Sequence, residues 1–264
     1  MSNKFTQPVI AIAENAGNAI MEIYQMKHAQ IGLKTDQSPL TLADTAANKI
    51  IENGLKRLTP EWPILSEEST IPDYKERQGW QYYWLVDPLD GTKEFISKNG
   101  EFTVNIALIE YGQPILGVVF APAIDQCYFA SKGEGAFLKT KDQTRAIQSR
   151  KELSSPPVIA VSRSHIDKET QALLNKIQAP QVLNMGSSLK LCLVAEGRVD
   201  CYPRLAPTME WDTAAAHAIL NEAGGCIIDT HGNPLFYNKE CLINPNFIAT
   251  EKSNSAYWTA VYRQ

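Results

Sequence analysis

Hydrophobic residues follow three successive rhythms along the chain. Val9, Ile12, Ala13, Ala16, Ile20, Ile23 and Tyr24 recur at three- and four-residue steps, which predicts an amphipathic helix. Ala43, Ala47, Ile50, Ile51, Gly54 and Leu58 predict a second helix, with Thr41 and Asp44 at capping-box spacing at its start. Short apolar runs follow: 63–66, 83–86, 102–109, 115–121, 126–130 and 136–139. The turn signals Tyr-Gly-Gln-Pro, Pro-Ala-Ile-Asp and Lys-Gly-Glu-Gly separate the last four of them. Hairpin-like intervals of this kind predict an antiparallel sheet.

From about Ser154 strands and helices alternate. Strands are expected at 158–161, 182–185, 199–202, 226–228 and 247–249, and helices at 168–177, 188–196, 212–223 and 253–262. Gly224-Gly225 reads as the C-cap of the third helix. The pattern predicts an α+β half over 1–153 and a layered α/β half over 154–264, joined at Ser154-Ser155-Pro156-Pro157.

Composition narrows the function. Charged residues make up 20% of the chain and the net charge is −4, without the basic excess of a nucleic-acid binder. The five cysteines are scattered and form no C-x-x-C pair, so reduced thiols in the cytoplasm are expected rather than a zinc site. No signal peptide is visible. The most apolar stretch, 115–124, is short and holds Gly117 and Pro122, so no transmembrane segment is expected. Peripheral contact with a membrane surface stays open.

Four constellations carry chemistry. In Asp87-Pro88-Leu89-Asp90-Gly91-Thr92 an apolar strand enters a bend bearing two carboxylates three residues apart. Hard cations such as Mg²⁺ require such oxygen ligands, and Gly91 allows close backbone approach. A surface turn would use the same residues. Glu67 and Glu68 end the strand before it, as a solvated pair or as a metal ligand with a water-orienting base. Asp212 stands where an N-cap belongs, before an Ala-rich helix. Gly186-Ser187-Ser188-Leu189-Lys190 reads as a helix cap or an anion cradle. Arg204 and His165 lie at strand ends, where α/β proteins often hold ligands.

In order, Glu-Glu after a strand, then W-x-V-D-P-L-D-G-T, then W-D-x-A resemble the inositol monophosphatase-like, Li⁺-sensitive phosphatases over nearly the whole chain. Lys93-Glu94-Phe95, Asn99-Gly100-Glu101-Phe102, Ser187-Ser188-Leu189-Lys190 and Tyr202-Pro203-Arg204 are most similar to the 3′(2′),5′-bisphosphate nucleotidases of the bacterial CysQ type. The resemblance implies a layered α-β-α-β-α sandwich. It implies two or three Mg²⁺ held by Glu67, Asp87, the Leu89 carbonyl, Asp90 and Asp212. It gives Glu68 and Thr92 the activation of water, Gly91 and Thr92 backbone contacts to phosphate, and Asp44 a place near a weaker metal. Ser187, Lys190, Arg204 and His165 would hold the nucleotide and its second phosphate. Glu67, Leu89, Asp90 and Asp212 would also border the bound substrate.

The implied reaction is in-line attack of water on the 3′-phosphate of adenosine 3′,5′-bisphosphate, clearing a by-product of sulfate activation. The implied enzyme is a cytoplasmic monomer or homodimer, with peripheral contact at the inner membrane left open. Spacing argues against two other chemistries. A phospho-aspartate enzyme needs Asp-x-Asp, and a cysteine phosphatase needs a His-Cys loop ending in Arg; neither is present. The alternatives are an inositol or sugar phosphatase, and a silent nucleotide sensor, which would be expected to lack one of the carboxylates.

Overall fold

The computed structural model describes residues 2–26, 39–163 and 166–263. The two N-terminal helices, α1 (Asn3–Gln25) and α2 (Pro39–Leu58), follow the predicted periodicity. They bury Val9, Ala13, Ala16, Ile20, Ala47, Ile51 and Leu55 against one face of a seven-stranded sheet. One correction concerns the start of α2. The helix begins at Pro39, a residue suited to the first helical position, so Thr41 and Asp44 lie inside it and do not form a capping box.

The first sheet runs in chain order: β1 (Ile64–Ser66), β2 (Tyr82–Asp90), β3 (Thr103–Glu110), β4 (Gln113–Ala121), β5 (Gln126–Ser131), β6 (Ala136–Lys139) and β7 (Thr144–Ile147). Its pairs are antiparallel except β1 with β2, which is parallel. Two short helices interrupt it, α3 (Tyr74–Arg77) and α4 (Thr92–Ile96). Strand β2 is longer than the apolar run suggests and carries the Asp-Pro-Leu-Asp segment within it. Regular pairing ends at Asp87 opposite Asn105, a bulge follows, and Asp90 pairs with Thr103. The bulge lets Pro88, which has no N–H to donate, sit in a strand.

The second sheet has the order β11 (Gly225–Asp229), β12 (Phe247–Glu251), β10 (Cys201–Arg204), β8 (Val158–Ser162) and β9 (Gln181–Met185). It is mixed: β10, β8 and β9 are parallel, and β12 is antiparallel to both neighbours. Helices α6 (Leu189–Ala195) and α7 (Glu210–Glu222) lie between the two sheets, in a buried cluster that takes residues from both. Helices α5 (Lys168–Lys176) and α8 (Ser255–Arg263) cover the outer face, around Trp258, Ile159 and Ile248. The result is the expected five-layered α-β-α-β-α sandwich. Helix α7 ends at Ala223 with Gly224 at φ +90°, the left-handed cap predicted there.

Candidate active site

Strand order brings the acidic pieces together. Ser66 pairs with Val86, and the Glu67 N–H donates to the Val86 carbonyl at 3.1 Å, so Glu67 emerges beside Asp87. The Ser66 hydroxyl donates to Asn48 Oδ1 at 2.7 Å, and the Ser69 hydroxyl to Glu52 Oε1 at 2.5 Å. Both acceptors lie on α2, so the Glu67-Glu68 turn is tied to the helix that carries Asp44. Burial, with the charges of Glu68 and Glu67, pushes Asp44 up to about 7.

Asp87 is buried, and its Oδ1 accepts the Leu89 N–H at 3.1 Å across the bulge. This holds Leu89 between the two aspartates. Asp90 turns the other way: its Oδ2 accepts the Ser188 N–H at 2.7 Å. Gly91 follows at φ +97°, where an added Cβ would lie 3.2 Å from both the Glu101 carbonyl oxygen and Phe102 Cα. No other residue fits there without displacing backbone. Thr92 then opens α4 with an exposed side chain.

The third carboxylate comes from α7. Asp212 is not the N-cap. Met209 occupies that position, and Asp212, at the third helical position, accepts the Met209 N–H at 2.9 Å. It caps the helix from inside, and this directs its carboxylate back over the helix start toward β1 and β2. Glu210 anchors the same end. It is fully buried and accepts the N–H groups of Asn238 and Lys239 at 2.7 and 3.0 Å, with Lys239 Nζ at 2.6 Å. Arg77 holds that loop from α3, donating to the Lys239 and Glu240 carbonyls at 2.6 and 2.8 Å. Helix α3, the 238–240 loop and the start of α7 are thereby one braced unit.

One carboxylate oxygen from each of Glu67, Asp87 and Asp212 lies within 4.8 Å of the others. Burial first, then repulsion from neighbouring carboxylates, raises the pKa of Glu67, Asp87 and Asp212, the last to about 8; burial raises Asp90 against the pull of Lys190 and the Ser188 N–H. None of the ion pairs among the described residues involves these four groups. A convergent all-oxygen set in which no carboxylate is ion-paired fits a hard divalent cation.

Beside this cluster lies a cavity of about 220 Å³, bordered by Asp90 and Asp212 at one end. Lys93, Arg163, Ser187, Lys190 and Arg204 also line it. Ser187 sits at φ +45°, and its buried hydroxyl has no partner among the described residues. Arg204 donates from Nη1 to the Ser162 hydroxyl at 2.9 Å, while its buried Nε has no such partner. Lys190 differs from a free anion ligand. It is buried, donates to the Ser187 and Met185 carbonyls at 2.6 and 3.2 Å, and packs over the Tyr202 ring. Burial lowers it to about 8, against the pull of Asp90. His165 lies outside the described residues.

Sequence reasoning passed over Glu101, Arg163 and Asn105. Asn105 faces Asp87 in register, and its Oδ1 accepts from the Ser188 hydroxyl at 2.8 Å. Glu101 and Arg163 pair across 62 residues. Both stand in segments singled out for other residues, and spacing carries no signal of their contact.

Three converging carboxylates beside a cation-lined cavity, between two sheets of a five-layered sandwich, define a metal-dependent phosphomonoesterase. The profile of the Inositol monophosphatase family matches residues 1–262, and the chain belongs to that family. It is 50% identical over 241 residues to the 3′(2′),5′-bisphosphate nucleotidase CysQ of Escherichia coli (strain K12), covering 90% of this chain and 96% of that one. It is 38% identical to the CysQ of Haemophilus influenzae, covering 97% and 95%. Among solved structures, CysQ from Bacteroides thetaiotaomicron superposes with a TM-score of 0.85 at 40% identity, over 93% and 96% of the chains. An inositol monophosphatase from Anabaena superposes at 0.81 with 25% identity, over 99% and 96%.

Proposed function

We propose that the chain hydrolyses the 3′-phosphate of adenosine 3′,5′-bisphosphate to AMP and phosphate. The observation that carries this reading is the carboxylate cluster opening onto a cavity lined by Lys93, Arg163 and Arg204. One end suits a reacting phosphate and the other a second anion. The 50% identity to a bisphosphate nucleotidase supports the same substrate.

Glu67, Asp87, Asp90, Asp212 and the Leu89 carbonyl would hold two or three Mg²⁺. The bound metal supplies Lewis acidity, lowering the pKa of a water and offsetting charge on the phosphoryl group. The protein's own groups do the rest. Glu68 and Thr92, both exposed, would orient the attacking water, with the Glu68 carboxylate taking its proton. The Gly91 and Thr92 N–H groups fix the phosphoryl oxygens in line. Asp44, pushed up to about 7, holds a proton or a weaker cation at the cluster's edge. Ser187 and Arg204 hold the second phosphate, and Lys190 fixes the turn that presents Ser187.

All five cysteines are free, and no helix of the described residues is long and apolar enough to cross a membrane. The proposed setting is the cytoplasm, with a small-molecule partner and a monomeric or dimeric enzyme.

The test is phosphate release with Mg²⁺ from adenosine 3′,5′-bisphosphate and from myo-inositol 1-phosphate, with and without Li⁺. Faster cleavage of the inositol phosphate rejects the nucleotidase reading. Asp90→Asn is expected to lower release by about two orders of magnitude or more. An unchanged rate removes this cluster from the chemistry, and no release by wild type above the enzyme-free rate favours a silent binding protein.

A further inference from the structure

The turn that presents Ser187 is clamped at both ends by carboxylates from the first sheet's side of the cavity. Glu101 stands in the loop between α4 and β3. Its carboxylate accepts Arg163 Nε and Nη2 at 2.6 and 2.5 Å and the Gly186 N–H at 2.7 Å. Arg163 Nη2 also donates to the Asn184 carbonyl at 3.0 Å. One side chain therefore joins the 97–102 loop to the ends of β8 and β9. Two residues on, Asp90 takes the Ser188 N–H. Gly186 is seated so closely that an added Cβ would lie 2.5 Å from Glu94 Cγ and 2.7 Å from the Glu101 carbonyl oxygen.

Ser187, between the two clamps, adopts a left-handed conformation that is strained for a non-glycine residue. Its hydroxyl gains nothing from the fold, being buried and without a partner among the described residues. The strain persists because both neighbouring N–H groups are held. The same turn supplies the Ser187 carbonyl that receives Lys190 Nζ. Arg163, paired with Glu101, remains at the cavity wall.

We infer that Glu101 is a positioning residue for the end of the cavity that takes the substrate's second phosphate, and so sets the preference for a bisphosphate over a monophosphate. This rests on the nucleotidase reading. Loss of the Glu101 carboxylate frees the Gly186 N–H and unpairs Arg163, and the Ser187 hydroxyl leaves its place. Asp90 still holds Ser188, so the metal end keeps its geometry. The defect falls on binding of the second phosphate.

The experiment compares wild type, Glu101→Gln and Glu101→Ala at saturating Mg²⁺, on adenosine 3′,5′-bisphosphate and adenosine 3′-phosphate, with thermal melts to confirm folding. For Glu101→Ala, KM for the bisphosphate is expected to rise about tenfold or more, the worth of one charge-assisted hydrogen bond, with kcat within about threefold. KM for the monophosphate should move less than about twofold. Glu101→Gln retains an acceptor for Gly186 and should recover part of the loss. A wild type without preference for the bisphosphate defeats the nucleotidase reading and this inference with it. A wild-type preference that both variants retain, or an equal KM rise on both substrates, defeats this inference alone.

Discussion

Removing one carboxylate from this cluster should stabilise the metal-free protein. Asp212 sits against Asp90 and Glu67, and its pKa is driven from the ordinary 3.8 to about 8, chiefly by burial. A folded-state pKa above the unfolded value means that the folded protein binds more protons between these limits. Stability from this group is present below about pH 4 and is lost as pH rises toward 8. The gap corresponds to a ceiling of about 5 kcal/mol at pH 8. Water entry and side-chain rearrangement in the half-buried cleft reduce it to ~2 kcal/mol. Asp212→Asn removes the charge and keeps an acceptor for the Met209 N–H, so the helix cap survives. In EDTA at about pH 8 the variant should melt about 5 °C above wild type. The advantage should shrink toward about pH 5. With Mg²⁺ at 100 times the wild-type Kd the order should reverse, because bound metal contributes about 2.7 kcal/mol to wild type and little to the variant. A variant less stable than wild type in EDTA at both pH values would refute the account of the cluster as a strained, cation-dependent site.

Two further outcomes follow from the packing beneath the site. Gly117→Ala would place a Cβ 2.0 Å from the Ala215 carbonyl oxygen, forcing β4 from α7, so urea unfolding should show a loss of about 3 kcal/mol or more, and calorimetry weaker Mg²⁺ binding through Asp212. His217 is buried against the Tyr237 hydroxyl and held down to about 4, so the unfolded chain takes up protons first as pH falls below 6.5. Wild type should lose roughly 2 kcal/mol from this group between about pH 7 and 4, and His217→Gln should not, by urea unfolding across that range.

Local patterns were legible wherever one element carries the whole signal. The helix periodicity of 3–25 survives intact because its apolar stripe faces a single sheet. The polar strand β7 (Thr144–Ile147) gave no alternation to read, since only Ile147 is buried. Asp44 and Asp212 both look like caps in sequence because acids at helix starts are common. Asp44 lies inside its helix, and Asp212 caps from the third position, where its carboxylate can also turn toward Asp87. Lys190 reads as a free anion ligand, yet the collapse of α6 between the sheets buries it and directs it to backbone carbonyls.

The order of short acidic motifs determined the family and the chemistry, because metal ligation demands carboxylates whatever surrounds them. Only tertiary structure decided how those motifs meet. Parallel pairing of β1 with β2 sets Glu67 beside Asp87, the brace from Arg77 through the 238–240 loop to Glu210 seats Asp212 opposite them, and Glu101 reaches across to hold the turn bearing Ser187. Those contacts join residues far apart in the chain, and their geometry comes from packing two sheets on one helical layer, which no local spacing encodes.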